Sequence, residues 1–88
     1  MHVSNMKNSR GKAIPNQSII NDDEGNRFFQ SYRTVIVKVA SSGQVYLDEA
    51  AWCYSRTTSK YRNLFLNETS KEVERKVKDG TYKLVDLN

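Results

Sequence analysis

The residues whose types and spacing could do chemistry are concentrated in one stretch, WCYSRTTSKYRNLF, from Trp52 to Phe65. Arg56, Lys60 and Arg62 supply positive charge there, and no acidic residue occurs between positions 50 and 67. Cations, hydroxyl groups and the free N–H groups of a helix start all bind phosphate oxygens, and exposed rings stack on bases. The stretch therefore predicts a surface for an anionic ligand such as nucleic acid. The predicted nucleic-acid-binding residues are Tyr54, Arg56, Thr57, Thr58, Lys60 and Arg62, joined by Arg10 and Lys12 from the N-terminal segment.

A structural interpretation of the same stretch stays open. Trp52, Tyr61 and Phe65 could be core anchors, and the hydroxyl groups could serve only to cap a helix. The two interpretations differ in whether the cations point outward together, which the sequence alone does not decide.

Catalytic and metal-binding patterns are scarce. The only histidine is His2, and the only cysteine, Cys53, stands next to Trp52 and is expected to be a small buried hydrophobic residue. One cysteine and one histidine do not supply the tetrahedral ligand set of a zinc site, and no glycine-rich phosphate loop occurs. We therefore expect a protein that is not an enzyme and that uses no cofactor and no metal.

Composition limits the class of protein. The chain has 88 residues, which is enough for one domain, and a net charge of +4, which favours anionic partners. A single cysteine excludes an intrachain disulfide and favours a reducing cytoplasm. No run approaches the roughly 18 apolar residues of a membrane-spanning helix, so we expect no membrane association.

The elements that must position the stretch begin after a predicted arm. Residues 1–16 are polar, contain Gly11 and Pro15, and are expected to form a flexible basic arm, whereas residues 17–88 are expected to form one domain. Strand composition then follows, and the alternation from Val35 to Val39 predicts that the odd-numbered residues share one face and Ile36 and Lys38 the other. Three antiparallel strands joined by short connections are predicted before residue 50.

Two short helices are predicted next. Thr57, Thr58 or Ser59 can cap the first, whose inward face would carry Tyr61, Leu64 and Phe65, and Asn67 can end it. Thr69 and Glu72 form a capping-box pattern for the second helix, which Gly80 can terminate. A final strand follows from Thr81. The predicted fold is therefore α+β: a small antiparallel sheet of three N-terminal strands and one C-terminal strand, with the two helices between.

The pattern W-x-YS-x-TT-x-KYR-x-x-FL, together with FFQSYRTVIVKV and GQVYLDE upstream, resembles a family of small proteins encoded by bacteriophages and prophages. The resemblance implies a phage accessory protein of unestablished activity that acts in the cytoplasm of the bacterial host. It carries over no functional residues.

Three functions remain in consideration. The first is a non-enzymatic nucleic-acid-binding module. The second is an inhibitor that docks on an acidic host protein, with Phe28, Phe29 and Tyr46 as aromatic anchors. The third is a self-associating structural component, a homodimer in which an exposed edge strand containing Val35, Ile36 and Val37 pairs across a two-fold axis.

Overall fold

The computed structural model describes all 88 residues, which fold into five strands, two helices and a sixth strand. In chain order the elements are β1 (His2–Lys7), β2 (Ala13–Asn21), β3 (Arg27–Ser31), β4 (Thr34–Val39), β5 (Val45–Asp48), α1 (Arg56–Leu66), α2 (Ser70–Lys78) and β6 (Lys83–Val85). Neither helix has the length and apolar composition of a membrane span.

The six strands form one sheet in the order in which they occur in the chain, so the predicted α+β class is confirmed. The predicted four-strand antiparallel sheet is too small, and its pairing is wrong at one end. Strands β1 to β5 pair antiparallel, whereas β6 pairs parallel to β5 through Leu47 and Leu84. The two helices cause this difference, because a long connection returns the chain so that β6 runs in the same direction as β5.

The predicted arm over residues 1–16 is replaced by strand β1 and the beginning of β2. An edge strand needs few apolar residues, and β1 buries only Met6, which explains why its polar sequence looked unstructured. The turn between the strands is held by Asn8, whose Oδ1 accepts the backbone N–H groups of Arg10 (2.9 Å) and Lys12 (3.1 Å). Gly11 adopts a φ of 78° there, a conformation that glycine tolerates without strain.

The hairpin of β3 and β4 contains two irregularities. Its turn places Tyr32 at a φ of 56°, and the Tyr32 N–H donates to the Asn16 carbonyl at 2.7 Å. Neighbouring residues Phe29 and Gln30 of β3 pair with Val37 and Val35 of β4. Ile36, between those two partners, is therefore the extra residue of a bulge in β4. Ile36 and Val37 are consequently both buried, and the predicted strict alternation of this strand is wrong.

Strand β4 is an internal strand of the sheet, so the predicted self-association through an exposed edge at Val35 to Val37 is wrong. The outer strands are β1 and β6 instead. The proposed aromatic anchor Phe29 is also excluded, because its side chain is fully buried.

Both helices pack on one face of the sheet. Phe29 on β3, Val37 on β4 and Leu47 on β5 are cross-strand partners, and they form the centre of the core with Val73 of α2. Partly buried residues of α1 complete this packing, among them Tyr61, Phe65 and Leu66. The opposite row of the sheet, from Ile20 through Phe28 and Lys38 to Tyr46, is not part of that core.

The helix ends follow from their capping residues. Ser55 caps α1 by accepting the Thr58 N–H at 3.1 Å, so the helix begins before the predicted caps at Thr57, Thr58 or Ser59. Asn67 ends α1 in the left-handed conformation, as predicted. The predicted capping box of Thr69 and Glu72 is confirmed, and such a cap stabilises a helix by about 1 kcal/mol.

Two side chains near α1 are more exposed than the sequence suggested. Leu64 was expected to face the core with Tyr61 and Phe65, but it is exposed. Cys53 is also exposed, so its predicted role as a buried hydrophobic residue is wrong.

The C-terminal segment is attached to the end of β5 through Asp48. Burial opposes ionisation of this carboxyl, but its Oδ1 accepts the Leu87 N–H at 2.9 Å and the Asn88 side chain at 3.1 Å. These hydrogen bonds outweigh burial and lower the pKa of Asp48. Asp48 thus fixes the point from which the chain leaves the sheet toward α1.

Candidate functional site

The start of α1 is positioned by the turn that follows β5. The Asp48 carbonyl accepts the N–H groups of Ala51 (3.3 Å) and Trp52 (3.0 Å), and Trp52 packs against the core. Ser55 then adopts an extended conformation and starts the helix. The predicted binding stretch is therefore held at both its ends, by the sheet and by the core face of α1.

A shallow depression of about 670 Å³ lies along one side of the helix start, and we call it the basic depression. Arg56 and Lys60, one helical turn apart, are exposed there and form no salt bridge. Its lining residues are Cys53, Ser55, Arg56, Ser59, Lys60, Asn63 and Ser70. The surface combines two cations with hydroxyl and amide groups, which are the groups that bind phosphate oxygens. It contains no carboxylate that would repel a phosphate.

Arg62 departs from the prediction that it points outward, because only 2% of it is exposed. Its guanidinium donates to the Trp52 carbonyl at 2.5 Å, to the Asn63 Oδ1 at 2.8 Å and to the Ser70 Oγ at 3.4 Å. It also lies over the Trp52 ring at 5.7 Å. Burial lowers the pKa of Arg62, and this effect exceeds the opposite effect of Cys53 and Glu74, which favour the charged guanidinium. Arg62 is therefore a structural cation beneath the basic depression, where it fixes Asn63 and Ser70.

Arg10 and Lys12 are exposed in the turn between β1 and β2. This turn lies next to α1: Asn8 and Ser9 of the turn line a cavity of about 460 Å³ together with Lys60 and Leu64 of the helix. The turn that carries the predicted N-terminal cations thus lies beside Lys60 of the basic depression, on a folded hairpin instead of an arm.

A second cavity, of about 330 Å³, opens on the other side of the helix start, and we call it the hydroxyl cavity. It is lined by Ser31, Tyr32, Thr34, Ile36, Tyr54, Ser55, Thr57 and Thr58. Three of the predicted residues take part: Tyr54 and Thr57 are exposed, while Thr58 is buried and its Oγ1 lies 3.0 Å from the Ser55 Oγ. Seven of its eight lining side chains carry a hydroxyl group.

Sequence reasoning missed Ser31, Tyr32 and Thr34, which reach this cavity from the hairpin of β3 and β4. Ser31 is buried, and its Oγ has no protein hydrogen-bond partner. The Gln17 Oε1, on the cross-strand partner of Ser31, is unpaired too. A buried polar group without a partner costs about 1–3 kcal/mol, so such a pair is rare in a region that only provides packing. No sequence signal marks Ser31, which follows Gln30 at the polar end of its strand.

The electrostatics of the helix start favour an anion. The first turn of α1 contains no acidic residue, so the positive end of the helix dipole is not neutralised within the helix. The two salt bridges of the chain, between the Met1 amino group and Asp23 and between Lys76 and Glu68, lie elsewhere. No group of three or more histidine, cysteine, aspartate or glutamate side chains is arranged to hold a metal ion.

Comparison with known proteins gives a family and nothing closer. Residues 1–80 match the model of a family of unknown function, DUF8033. No curated protein matches the chain, and no solved structure does. The arrangement around α1 must therefore be interpreted from its own chemistry.

Proposed function

We propose that this chain, which belongs to the DUF8033 family of unknown function, binds nucleic acid without catalysing a reaction. The contact surface is the basic depression together with the turn that carries Arg10 and Lys12. Ser55 and Thr57 add hydroxyl groups at the start of α1.

One observation carries the proposal: Arg56 and Lys60 are exposed, form no salt bridge and lie together in a depression whose lining contains no carboxylate. Cations on most protein surfaces are interspersed with acids, which cancel the field over a short distance. Here the nearest part of the helix adds the positive end of its dipole. The summed potential attracts a phosphate backbone.

The groups at this surface predict contacts to the backbone more than to base edges. Lysine, serine and helix N–H groups mostly bind phosphate oxygens, which set the position of a nucleic acid and carry no sequence information. We therefore propose binding with little sequence preference.

The biological setting is part of the same proposal. The resemblance of the YSRTTSKYRNLFL segment to small phage-encoded proteins supports an accessory role in the cytoplasm of a bacterial host. A protein that binds nucleic acid without sequence preference fits such a role, since it would meet both phage and host nucleic acids.

The test is fluorescence anisotropy with a labelled 20-base-pair DNA duplex and the matching single strand over a range of salt concentrations. The double variant R56A/K60A removes about two phosphate contacts. The slope of log affinity against log salt for the duplex should become shallower by about 1.8, and the affinity at moderate salt should fall about tenfold.

The matched control is K71A/K78A, which removes the same charge from α2, where Glu74, Arg75 and Asp79 accompany the two lysines. Its affinity should stay within about threefold of the wild type, because that surface is electrostatically mixed. Equal losses of affinity in both variants would show that net charge alone drives the interaction, and would contradict a contact surface at α1. The absence of salt-dependent binding to either oligonucleotide would refute the proposal.

A second candidate function is docking on an acidic host protein. It is favoured by Leu64, which is exposed and shares a cavity with Lys60, since protein interfaces combine apolar anchors with charged rims. Capture from a nuclease-treated bacterial lysate separates the two functions. An acidic protein that is retained by the wild type but not by R56A/K60A or L64A would favour this candidate.

A further inference from the structure

We propose that the hydroxyl cavity binds one phosphorylated nucleotide of a single-stranded nucleic acid, with its phosphate at the start of α1 and its base against the Tyr54 ring. This site deepens the proposed function, on which it rests, by naming single strands and strand ends as the preferred ligand. It uses residues of the β3–β4 hairpin that the basic depression does not contain.

The cavity has the size and chemistry for such a ligand. Its volume of about 330 Å³ lies at the lower end of the range of small-molecule sites. Its lining offers hydroxyl donors from both sides, Thr34 on the sheet and Thr57 on the helix, and no carboxylate that would repel phosphate. The first N–H groups of an α-helix have no partner within the helix and point toward such an anion.

Ser31 is the independent observation that points to a ligand. Only 4% of this residue is exposed, it lines the cavity, and its Oγ has no protein partner. Gln17 stands opposite it in the pairing of β2 with β3 and also carries an unpaired oxygen, although it does not line the cavity. The Ser31 Oγ is closed to solvent in the wall of the cavity, and a phosphate or sugar oxygen that pressed against this wall would give it the partner that it lacks.

Two exposed rings at the same cavity supply the contact with a base. Tyr54 is 75% exposed and Tyr32 is 64% exposed, and both line the cavity. The Tyr32 backbone is held at a φ of 56°, and its N–H bonds to the Asn16 carbonyl, so its position is fixed by the hairpin. Exposed aromatic rings stack on any base, because every base has a π-face.

The position of the cavity explains why a single strand is the expected ligand. Ser55 lines both the hydroxyl cavity and the basic depression, so the two sites meet at the cap of α1. A strand whose backbone lies in the basic depression can extend one nucleotide past Ser55 into the cavity. In an intact duplex the bases are stacked and paired, and they are not free to reach Tyr54.

The first experiment is an amide ¹H–¹⁵N NMR titration of the full chain with three probes: thymidine 5′-monophosphate, thymidine and inorganic phosphate. The proposal expects the monophosphate to shift the amides of Ser31, Thr57 and Thr58 at lower concentration than either other probe. No shift at these residues, or an equal response to inorganic phosphate, overturns the nucleotide site.

The second experiment compares S31A/Y54A with the wild type in binding to a 12-nucleotide oligothymidine and to a 12-base-pair duplex. The affinity for the single strand should fall at least fivefold, since one stacked base and one hydroxyl contact are lost, and the affinity for the duplex should stay within twofold. Y46A is the control for loss of a tyrosine ring elsewhere, because Tyr46 lies on the sheet face away from the core and the helices.

We expect S31A/Y54A to fold like the wild type, because Tyr54 is exposed and the Ser31 hydroxyl has no hydrogen bond to lose. An unchanged affinity of S31A/Y54A for the single strand overturns the site. If neither oligonucleotide binds but the monophosphate still shifts the cavity amides, the proposed function and the single-strand ligand both fail, and the cavity is a site for a free nucleotide only. If both oligonucleotides bind and the monophosphate shifts nothing, the site fails and the proposed function stands.

Discussion

The two helices pack on the same face of the sheet but have opposite end chemistry. α2 has an acid, Glu72, in its first turn and three basic residues, Arg75, Lys76 and Lys78, in its last, so both ends of its dipole are neutralised by its own side chains. α1 has no acid in its first turn and no base in its last. α2 is built for its own stability, whereas α1 leaves a positive end open to an external anion.

The buried residues of the helices differ in the same way. α2 inserts Val73, a fully buried aliphatic residue, into the core. α1 buries Thr58 and Arg62, two polar side chains. The comparison teaches that α1 lacks the favourable end charges of α2 and buries polar side chains most deeply, while its apolar packing comes from partly buried residues such as Phe65.

The largest expected effect is on the free energy of unfolding of the Arg62→Ala variant. The change removes the donors of the Trp52 carbonyl and of Asn63 and leaves a cavity, so we expect a loss of about 3 kcal/mol or more. Val73→Ala should cost about 2 kcal/mol, because it removes two methyl groups from the core. Urea unfolding measures both.

Arg56→Ala is the matched control for Arg62, since it removes the same side chain from an exposed position of the same helix and should cost less than about 0.5 kcal/mol. If Arg62→Ala were as mild as this control, Arg62 would not be a structural cation and the contrast between the helices would be lost.

A smaller effect is expected when α1 is given the acid that it lacks. Thr57→Glu places a carboxylate in the first turn, where it should stabilise the protein by about 0.3–1 kcal/mol through the helix dipole. The same charge should weaken binding of a single-stranded oligonucleotide more than Thr57→Gln, which is the uncharged control. A variant that was more stable and bound equally well would show that the open helix end is unrelated to binding.

The smallest effect is a difference in how the helices respond to acid. Hydrogen bonds from the Thr69 backbone and side chain lower the pKa of Glu72 from its ordinary value of 4.5. A carboxyl with a lowered pKa in the folded state adds stability above its unfolded pKa and loses that contribution as the pH falls through the folded value. Amide exchange in the first turn of α2 should therefore accelerate relative to the chemical rate as the pH falls from 6 to 3.

The first turn of α1 contains no carboxyl, so its exchange protection should change less over the same interval. Glu72→Gln provides the control, because it should remove most of the pH dependence at α2. Equal pH responses at the two helix starts would contradict the assignment of this contribution to Glu72.

Local rules predicted the parts of the fold that local chemistry determines. The capping box of Thr69 and Glu72 and the stop at Asn67 depend on neighbouring residues and are confirmed. Strand β1 was missed because an edge strand buries little and carries no strong pattern. The turn at Tyr32 was missed because tyrosine seldom adopts a positive φ, and no glycine marks the position.

The candidate site was only half predictable for a related reason. The acid-free stretch identified Arg56, Lys60 and Thr57, whose exposure follows from their side of the helix. Arg62 was misjudged because its burial depends on a distant partner, the Trp52 carbonyl, which only the fold brings within reach. Ser31 came from a strand far away in the chain, and no spacing rule connects it with α1.

The parallel pairing of β6 with β5 determines the order in which the chain can fold. Strands β1 to β5 pair with neighbours in the sequence, so their loops are short and close at little entropic cost. β6 joins the sheet only across both helices, which makes its pairing the strand pairing of longest range, and we expect it to be the slowest of the strand pairings to form. A nascent chain would thus assemble its hairpins first and complete the proposed binding surface late, when β6 pairs with the edge of the finished meander.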